Sequence, residues 1–391
     1  MGEGFRTPPQ QGRWLLIPVG ILVLLCLGTV YSWSLFRKPL EAELGIGATA
    51  SLLPYTIAFM PIAGRWIPRW GPRRVTALGG LAVGLGYCLA SLADQIGTLI
   101  LSYGVIAGTG VGITYGVPMA VMARWFPERR GLAVGLTVIG FGLSPLITAP
   151  LAAYGLRHVG PRLTLGILGV VFTLLILSCA WVLRFPPSEW GSQPTQPLAR
   201  QVPLWQQRRF YGLWGAYALG TLVGLSATGI SAPVGEEVIG LDPGLAARCV
   251  SLFAVFNGLS RPLFGWLSDR WPPERVAGLS YGLMLVASLL MLTAGLGDLL
   301  PYGVAFALFW FCLGGWLAMA PALTLRLFDP AHYAQNYGLV FTAYGVGALL
   351  GTVVTGWLRD GLGSYTYGFY GFAILALLGA TWAQYFLGSR D

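Results

Sequence analysis

Apolar residues run along this chain in blocks of membrane-spanning length, separated by short polar turns, and the blocks fall into two sets of six. The first set covers about 14–36, 48–67, 75–94, 97–123, 131–153 and 162–183; the second covers about 210–232, 246–267, 276–297, 301–327, 336–358 and 366–388. Each block is close to the ~20 residues a helix needs to cross a hydrocarbon core of ~30 Å. The pattern predicts an all-α membrane protein of twelve transmembrane helices. The longest polar stretch, FPPSEWGSQPTQPLARQVPLWQQRR (185–209), separates the sets and reads as a linker. The expected organisation is an N-terminal six-helix bundle over 1–184, the linker over 185–209 and a C-terminal six-helix bundle over 210–391. The first block, Trp14 to Phe36, exceeds a signal-peptide core and lacks a small-residue cleavage pattern, so it is expected to stay as the first span.

An internal repeat supports two equivalent halves. GRWIPRW (64–70) after the second block matches GWLSDRW (265–271) after the eighth at an offset of 201, and ARWF (123–126) matches LRLF (325–328) at 202. Two signals at nearly one offset point to a duplicated six-helix unit.

Composition sharpens the class. The chain is 55% hydrophobic and only 10% charged, with a net charge of +9 and Lys38 as its one lysine. A soluble domain averages about 25% charged residues. In a membrane protein basic residues gather in the cytoplasmic loops, so the excess orients the chain and does not signal nucleic acid. With the N-terminus inside, 17 basic residues fall on that side and six on the other (Arg37, Lys38, Arg157, Arg162, Arg248 and Arg359). Both termini are therefore expected in the cytoplasm, in a plasma or inner membrane. The five cysteines form no CxxC and read as apolar fillers. With no Ser/His/Asp grouping, phosphate loop or metal-ligand spacing, the sequence predicts no enzyme, no cofactor and no metal site.

One residue breaks the apolar pattern. Arg261 lies eight positions before Asp269, roughly 12 Å from the polar end of its block at about 1.5 Å per residue, close to the midplane. A charge at that depth costs at least about 2.5–3.5 kcal/mol. A water-filled cavity, a counter-ion or an anionic substrate must offset it, and the expected acids lie in outer loops. Asn257 sits one helical turn before Arg261 on the same face. Pro262 cannot donate to Gly258, which predicts local helix irregularity.

At this point the chain resembles the major facilitator superfamily over essentially its whole length. GRWIPRWGPRR (64–74) fits that family's loop after the second span, except that Pro68 replaces the acid, which the second copy keeps as Asp269. The resemblance implies a conformational latch at Gly64, Arg69, Asp269 and Arg270, with the Asp269 copy favoured. YSWSLFRKPLEAELG (31–45), NGLSRPLFGWLSDR (257–270) and NYGLVFTAYGVGALLG (336–351) look like the oxalate/formate antiporter and monocarboxylate transporter branch. In that branch the arginine of the eighth span is the substrate carboxylate's partner, and Arg261 holds that position. Animal monocarboxylate transporters carry an aspartate where this chain has Asn257, and use it in proton coupling. Oxalate transporters carry a lysine in the eleventh span, whereas FTAYGVG (341–347) has none; one intramembrane cation suits a monoanion. Tyr344, Tyr115, Tyr31 and Trp316 are the further substrate-site candidates.

These readings converge on a secondary transporter of small monocarboxylates such as lactate or pyruvate, with a proton as co-transported partner and a single chain as the functional unit. An oxalate/formate type exchanger is the alternative within transport, and a transporter-like sensor without turnover the alternative outside it. A sensor would carry a long signalling tail, and the reading expects thirteen residues before the first span and about three after the last.

Overall fold

In the computed structural model, which describes residues 12–58, 67–126, 130–187, 203–328 and 333–388, helices follow the predicted blocks closely. The first half comprises α1 (Arg13–Leu44), α2 (Ala48–Ala58), α3 (Ile67–Ala90) and α4 (Ile96–Trp125). A continuous run, Arg130–Val182, then splits at Gly160 into α5 (130–159) and α6 (161–182). The second half comprises α7 (Arg208–Glu237), α8 (Pro243–Arg270), α9 (Pro273–Thr293), α10 (Leu299–Leu327), α11 (Tyr333–Leu362) and α12 (Thr366–Leu387). No strand occurs among the described residues. The α5–α6 corner follows from two residues. Gly160 takes φ +78°, a left-handed value that only glycine adopts cheaply, and Pro161 starts the next helix where a missing N–H costs nothing.

Polarity is inverted relative to a soluble protein. Leucines such as Leu174, Leu259 and Leu300 are exposed on the outside, while Ser32, Thr148, Ser226 and Thr228 are buried between helices. Many buried hydroxyls bond the carbonyl one turn back, as Thr228 does to Gly224 O at 2.8 Å, so they add polarity between helices without opening the backbone ladder. Eight helical stretches among the described residues are long and apolar enough to cross a membrane by composition alone. α8 is not among them, because Ser251, Asn257, Ser260, Arg261 and Ser268 all lie buried along it. This helix carries Arg261, the buried charge.

Among the described residues the two halves meet chiefly through three helix pairs: α1 with α7, α2 with α11 and α5 with α8. We call the face holding Arg13 and Leu387 the terminal face and the opposite one the distal face. The structure extends the first helix beyond its predicted end. α1 continues to Leu44 through Pro39, so Arg37 and Lys38 are helical rather than in a loop. Glu236 and Glu237 likewise end α7, and Asp360 belongs to α11. A hydropathy reading ends a helix at its first charge; here the half boundary supplies polar partners that keep the helix going.

Candidate substrate site and gate

α8 begins on Asp242, whose carboxylate accepts from Gly244 N at 2.8 Å and Leu245 N at 3.3 Å, with Pro243 at the first helical position. The helix runs without interruption through Pro262 to Arg270, so the irregularity expected at the proline does not break it. Asn257 and Arg261 share one face and are 0% and 5% exposed. Arg261 Nη2 donates to Asn257 Oδ1 at 3.1 Å, and Asn257 Nδ2 donates to Trp310 O of α10 at 2.9 Å. That second bond fixes the amide so that its oxygen faces the guanidinium. Arg261 Nη1 donates to Val138 O of α5, across the half boundary, at 2.9 Å. Arg261 Nε is buried with no acceptor. Among the described residues no carboxylate pairs with Arg261.

Aromatic side chains from several helices close around this group. Tyr31 comes from a tighter 3-10 stretch, Thr29–Ser32, inside α1. Such a stretch within a helix often marks a functional bend. Its ring meets Phe141 of α5 edge-on at 5.2 Å and Trp310 at 5.8 Å, and Phe141 also meets Tyr115 of α4 at 5.1 Å. The hydroxyls of Tyr31 and Tyr115 both lie within electrostatic reach of Arg261. Tyr344 of α11 faces Tyr31, hydroxyl to hydroxyl, at 3.5 Å.

Five of the six sequence candidates therefore meet: Arg261, Asn257, Tyr31, Tyr115 and Tyr344. Trp316 does not join them. Its ring packs within the second half, 5.5 Å from Tyr281 of α9 and 6.1 Å from Tyr217 of α7, two ring contacts away from Tyr344. Trp310 takes the place beside Asn257 and Tyr31 instead. Nothing in FWFCLGGW distinguishes the two tryptophans, because the rotational phase of α10 against α8 is a tertiary property. Of the expected latch, Gly64 and the Arg69 side chain lie outside the described residues. Asp269 and Arg270 are exposed on the terminal face, with Arg270 over the Trp266 ring at 4.2 Å.

A second polar cluster, at the distal end, ties the halves together. Arg37 is fully buried. It donates to Ser51 Oγ at 3.0 Å, Glu41 Oε1 at 3.2 Å and Ala48 O at 3.1 Å within its own half, and to Gly229 O at 3.3 Å and Tyr365 Oη at 2.9 Å in the other. Lys38 Nζ lies 3.6 Å from Glu236 and 3.4 Å from Glu237, and Arg359 holds Glu237 at 2.8 Å. Asp360 accepts from Ala48 N at 2.7 Å and Thr49 N at 2.8 Å, capping α2 from the opposite half. On the far side of the boundary Arg157 of α5 pairs with Asp242 of α8 at 3.1 Å. The cross-half bonds named here all lie at the level of Arg261 or distal to it. Sequence reasoning missed Arg37, although Arg37 and Glu41 at i,i+4 spacing already signal a continuing helix.

The sequence profile of the Major Facilitator Superfamily matches residues 13–325 and 217–390. The chain belongs to the Major Facilitator Superfamily. Within it the chain is 30% identical over 360 residues to the oxalate:formate antiporter of Oxalobacter formigenes, covering 89% of this chain and 85% of that one. It is 32% identical over 331 residues to monocarboxylate transporter 11 of Homo sapiens, covering 80% and 68%. These relatives place it in the branch that holds both kinds of carrier. The fold agrees: a bacterial homolog of the human lysosomal transporter Spinster superposes with a TM-score of 0.75 at 16% identity, covering 99% of both chains. This Major Facilitator Superfamily protein is thus a multi-pass membrane transporter and not an enzyme, built as two six-helix bundles. The superfamily fold hosts many substrates, so the substrate has to be argued from Arg261 and its surroundings.

Proposed function

We propose that the protein is a secondary transporter of small monocarboxylates of the lactate or pyruvate kind, working by alternating access with a proton as symported ion. The observation that carries this reading is the buried, acid-free Arg261 between the halves, with Nε lacking an acceptor. A guanidinium stays protonated in almost any environment and offers a planar fork that a carboxylate meets with two parallel bonds. Asn257 spends both ends of its amide on Arg261 and Trp310, so its role is to aim the arginine. Tyr31, Tyr115 and Tyr344 supply hydroxyls around the bound anion. One midplane cation neutralises one carboxylate, which favours a monoanion.

In this reading both termini are cytoplasmic, in a plasma or inner membrane, and the distal cluster is the external gate of a single-chain carrier. A loaded site is neutral and crosses a dry intermediate more easily than a charged one. Arg261 lowers the pKa of a carboxylate beside it and so opposes protonation there. Glu236 is the acid suited to take the proton, because opening the gate parts it from Lys38, whereas Glu237 keeps Arg359 of its own half. The test uses proteoliposomes loaded with a pH dye, an inward lactate gradient, no pH gradient, and valinomycin with equal potassium to clamp voltage. Protein-dependent internal acidification is the expected result. Labelled lactate entry without acidification, or entry only when a second carboxylate is preloaded, rejects symport.

The similarity to an oxalate:formate antiporter favours a second reading, exchange of oxalate-type carboxylates. The 341–347 stretch speaks against it, since Tyr344 stands across from Tyr31 where a second cation is absent. Tyr344→Lys, or Ala343→Lys, is therefore expected to weaken lactate transport and raise oxalate transport in competition assays. Wild-type preference for oxalate over lactate would defeat the charge-counting argument.

A further inference from the structure

We infer that the Val138 carbonyl acts as a stand-in for the substrate carboxylate, holding the Arg261 guanidinium across the half boundary during the substrate-free part of the cycle, and that Gly142 is the positioning residue that makes this possible. The inference rests on the reading that Arg261 binds the carboxylate. Arg261 Nη1 crosses from α8 to reach Val138 O at 2.9 Å. One helical turn on, Gly142 presents bare backbone to the same guanidinium. A Cβ at position 142 would stand 2.8 Å from Asn257 Oδ1 and 3.1 Å from both Nε and Nη2 of Arg261. All three are closer than carbon packs comfortably against these atoms, so a side chain there shifts Asn257 Oδ1 and the guanidinium by a few tenths of an ångström, enough to weaken the bond to Val138 O. Gly258 makes the matching approach on α8, where a Cβ would meet Leu143 Cδ2 at 2.6 Å.

The bond has the right strength and place for this role. A charge-assisted bond to a neutral carbonyl offsets part of the cost of a buried guanidinium, yet a full carboxylate outcompetes it. It also sits midway along its helix, eight residues before Asp269, where the sequence places the midplane. When two rigid bundles rock about a central axis, their ends part widely and their midplane contacts move least. The Arg261–Val138 bond can therefore persist while the distal cluster opens, so the carrier returns with its charge hydrogen-bonded in the dry intermediate, at a lower cost than a bare guanidinium would carry. A substrate carboxylate draws the guanidinium toward the tyrosines and replaces the carbonyl.

Net uptake requires the substrate-free return step, whereas exchange of labelled for unlabelled substrate does not. Gly142→Ala is expected to lower net lactate uptake by about tenfold, the scale of one charge-assisted hydrogen bond. Exchange should stay within about twofold of wild type, with a lower apparent KM because the competing carbonyl is out of reach. Gly258→Ala, whose Cβ would stand 2.9 Å from Leu143 Cγ and so presses α8 away from α5 without touching Arg261, serves as the second variant and should shift both readouts the same way. Net uptake and exchange falling together, an unchanged ratio, or a raised KM would overturn the inference. Arg261→Gln separates the two levels. If it abolishes exchange while both glycine variants behave as wild type, the stand-in role fails and the carboxylate site remains; if it leaves exchange intact, the carboxylate reading fails and takes this inference with it.

Discussion

Saturable lactate uptake falls by about a hundredfold or more in Arg261→Gln, the expected cost of removing one partner of a desolvated charged pair. Glutamine keeps a donor for Asn257 Oδ1 or Val138 O but has no charge to neutralise a carboxylate. Arg261→Lys keeps the charge and still loses about tenfold or more, since an ammonium is a point charge without the planar fork. The stability of these variants runs the other way. Arg261 is 5% exposed, has no acid partner among the described residues and leaves Nε without an acceptor, so the native state already bears a desolvation cost that glutamine relieves. The midpoint of thermal unfolding of Arg261→Gln should equal or exceed that of wild type, while addition of lactate raises the midpoint only in wild type. Normal uptake by either variant would make the arginine a structural residue.

Asp360→Ala opens the distal side. The carboxylate accepts two backbone N–H bonds from the first turn of α2, so it joins the halves as a helix cap supplied in trans. A cap contributes about 1 kcal/mol and a negative charge at a helix N-terminus up to about 1 more. Together these shift the balance between distal-closed and distal-open states by roughly thirtyfold. Asp360→Asn, which keeps an acceptor without the charge, should fall between. The measurement is the rate at which a cysteine introduced at Leu52 reacts with a membrane-impermeant thiol reagent, after the five native cysteines are replaced. Leu52 is fully buried and faces Gly229 across the boundary, so it reacts only when the distal side opens. Arg157→Ala should change this rate little, because Arg157 and Asp242 are 55% and 70% exposed and solvent screens the pair. An Asp360→Ala rate equal to wild type would remove the aspartate from the gate.

The sequence carried most of this architecture, for identifiable reasons. Spanning length and an apolar block are local properties, so the helices could be counted before any contact was known, and the lone charge of Arg261 inside an apolar block stood out for the same reason. What stayed hidden depends on neighbours from the other half. Arg37 read as a loop residue because its acceptors, Gly229 O and Tyr365 Oη, lie 192 and 328 positions away. Val138 contributes only a backbone oxygen, which no residue pattern reveals. Trp316 and Trp310 were equivalent until α10 had a fixed rotation.

The two gate helices are capped differently, and this has a dynamic consequence. α8 carries its own cap, since Asp242 immediately precedes it, whereas α2 borrows Asp360 from the other half. Opening the distal side strips the cap from α2 and leaves that of α8 in place. The amides of Ala48 and Thr49 then lose their acceptor and the first turn of α2 is free to fray, so their deuterium uptake rises and falls with the gate while that of Gly244 and Leu245 stays level. The chain thus contains both a native reporter of which side is open and its internal reference, readable without any label.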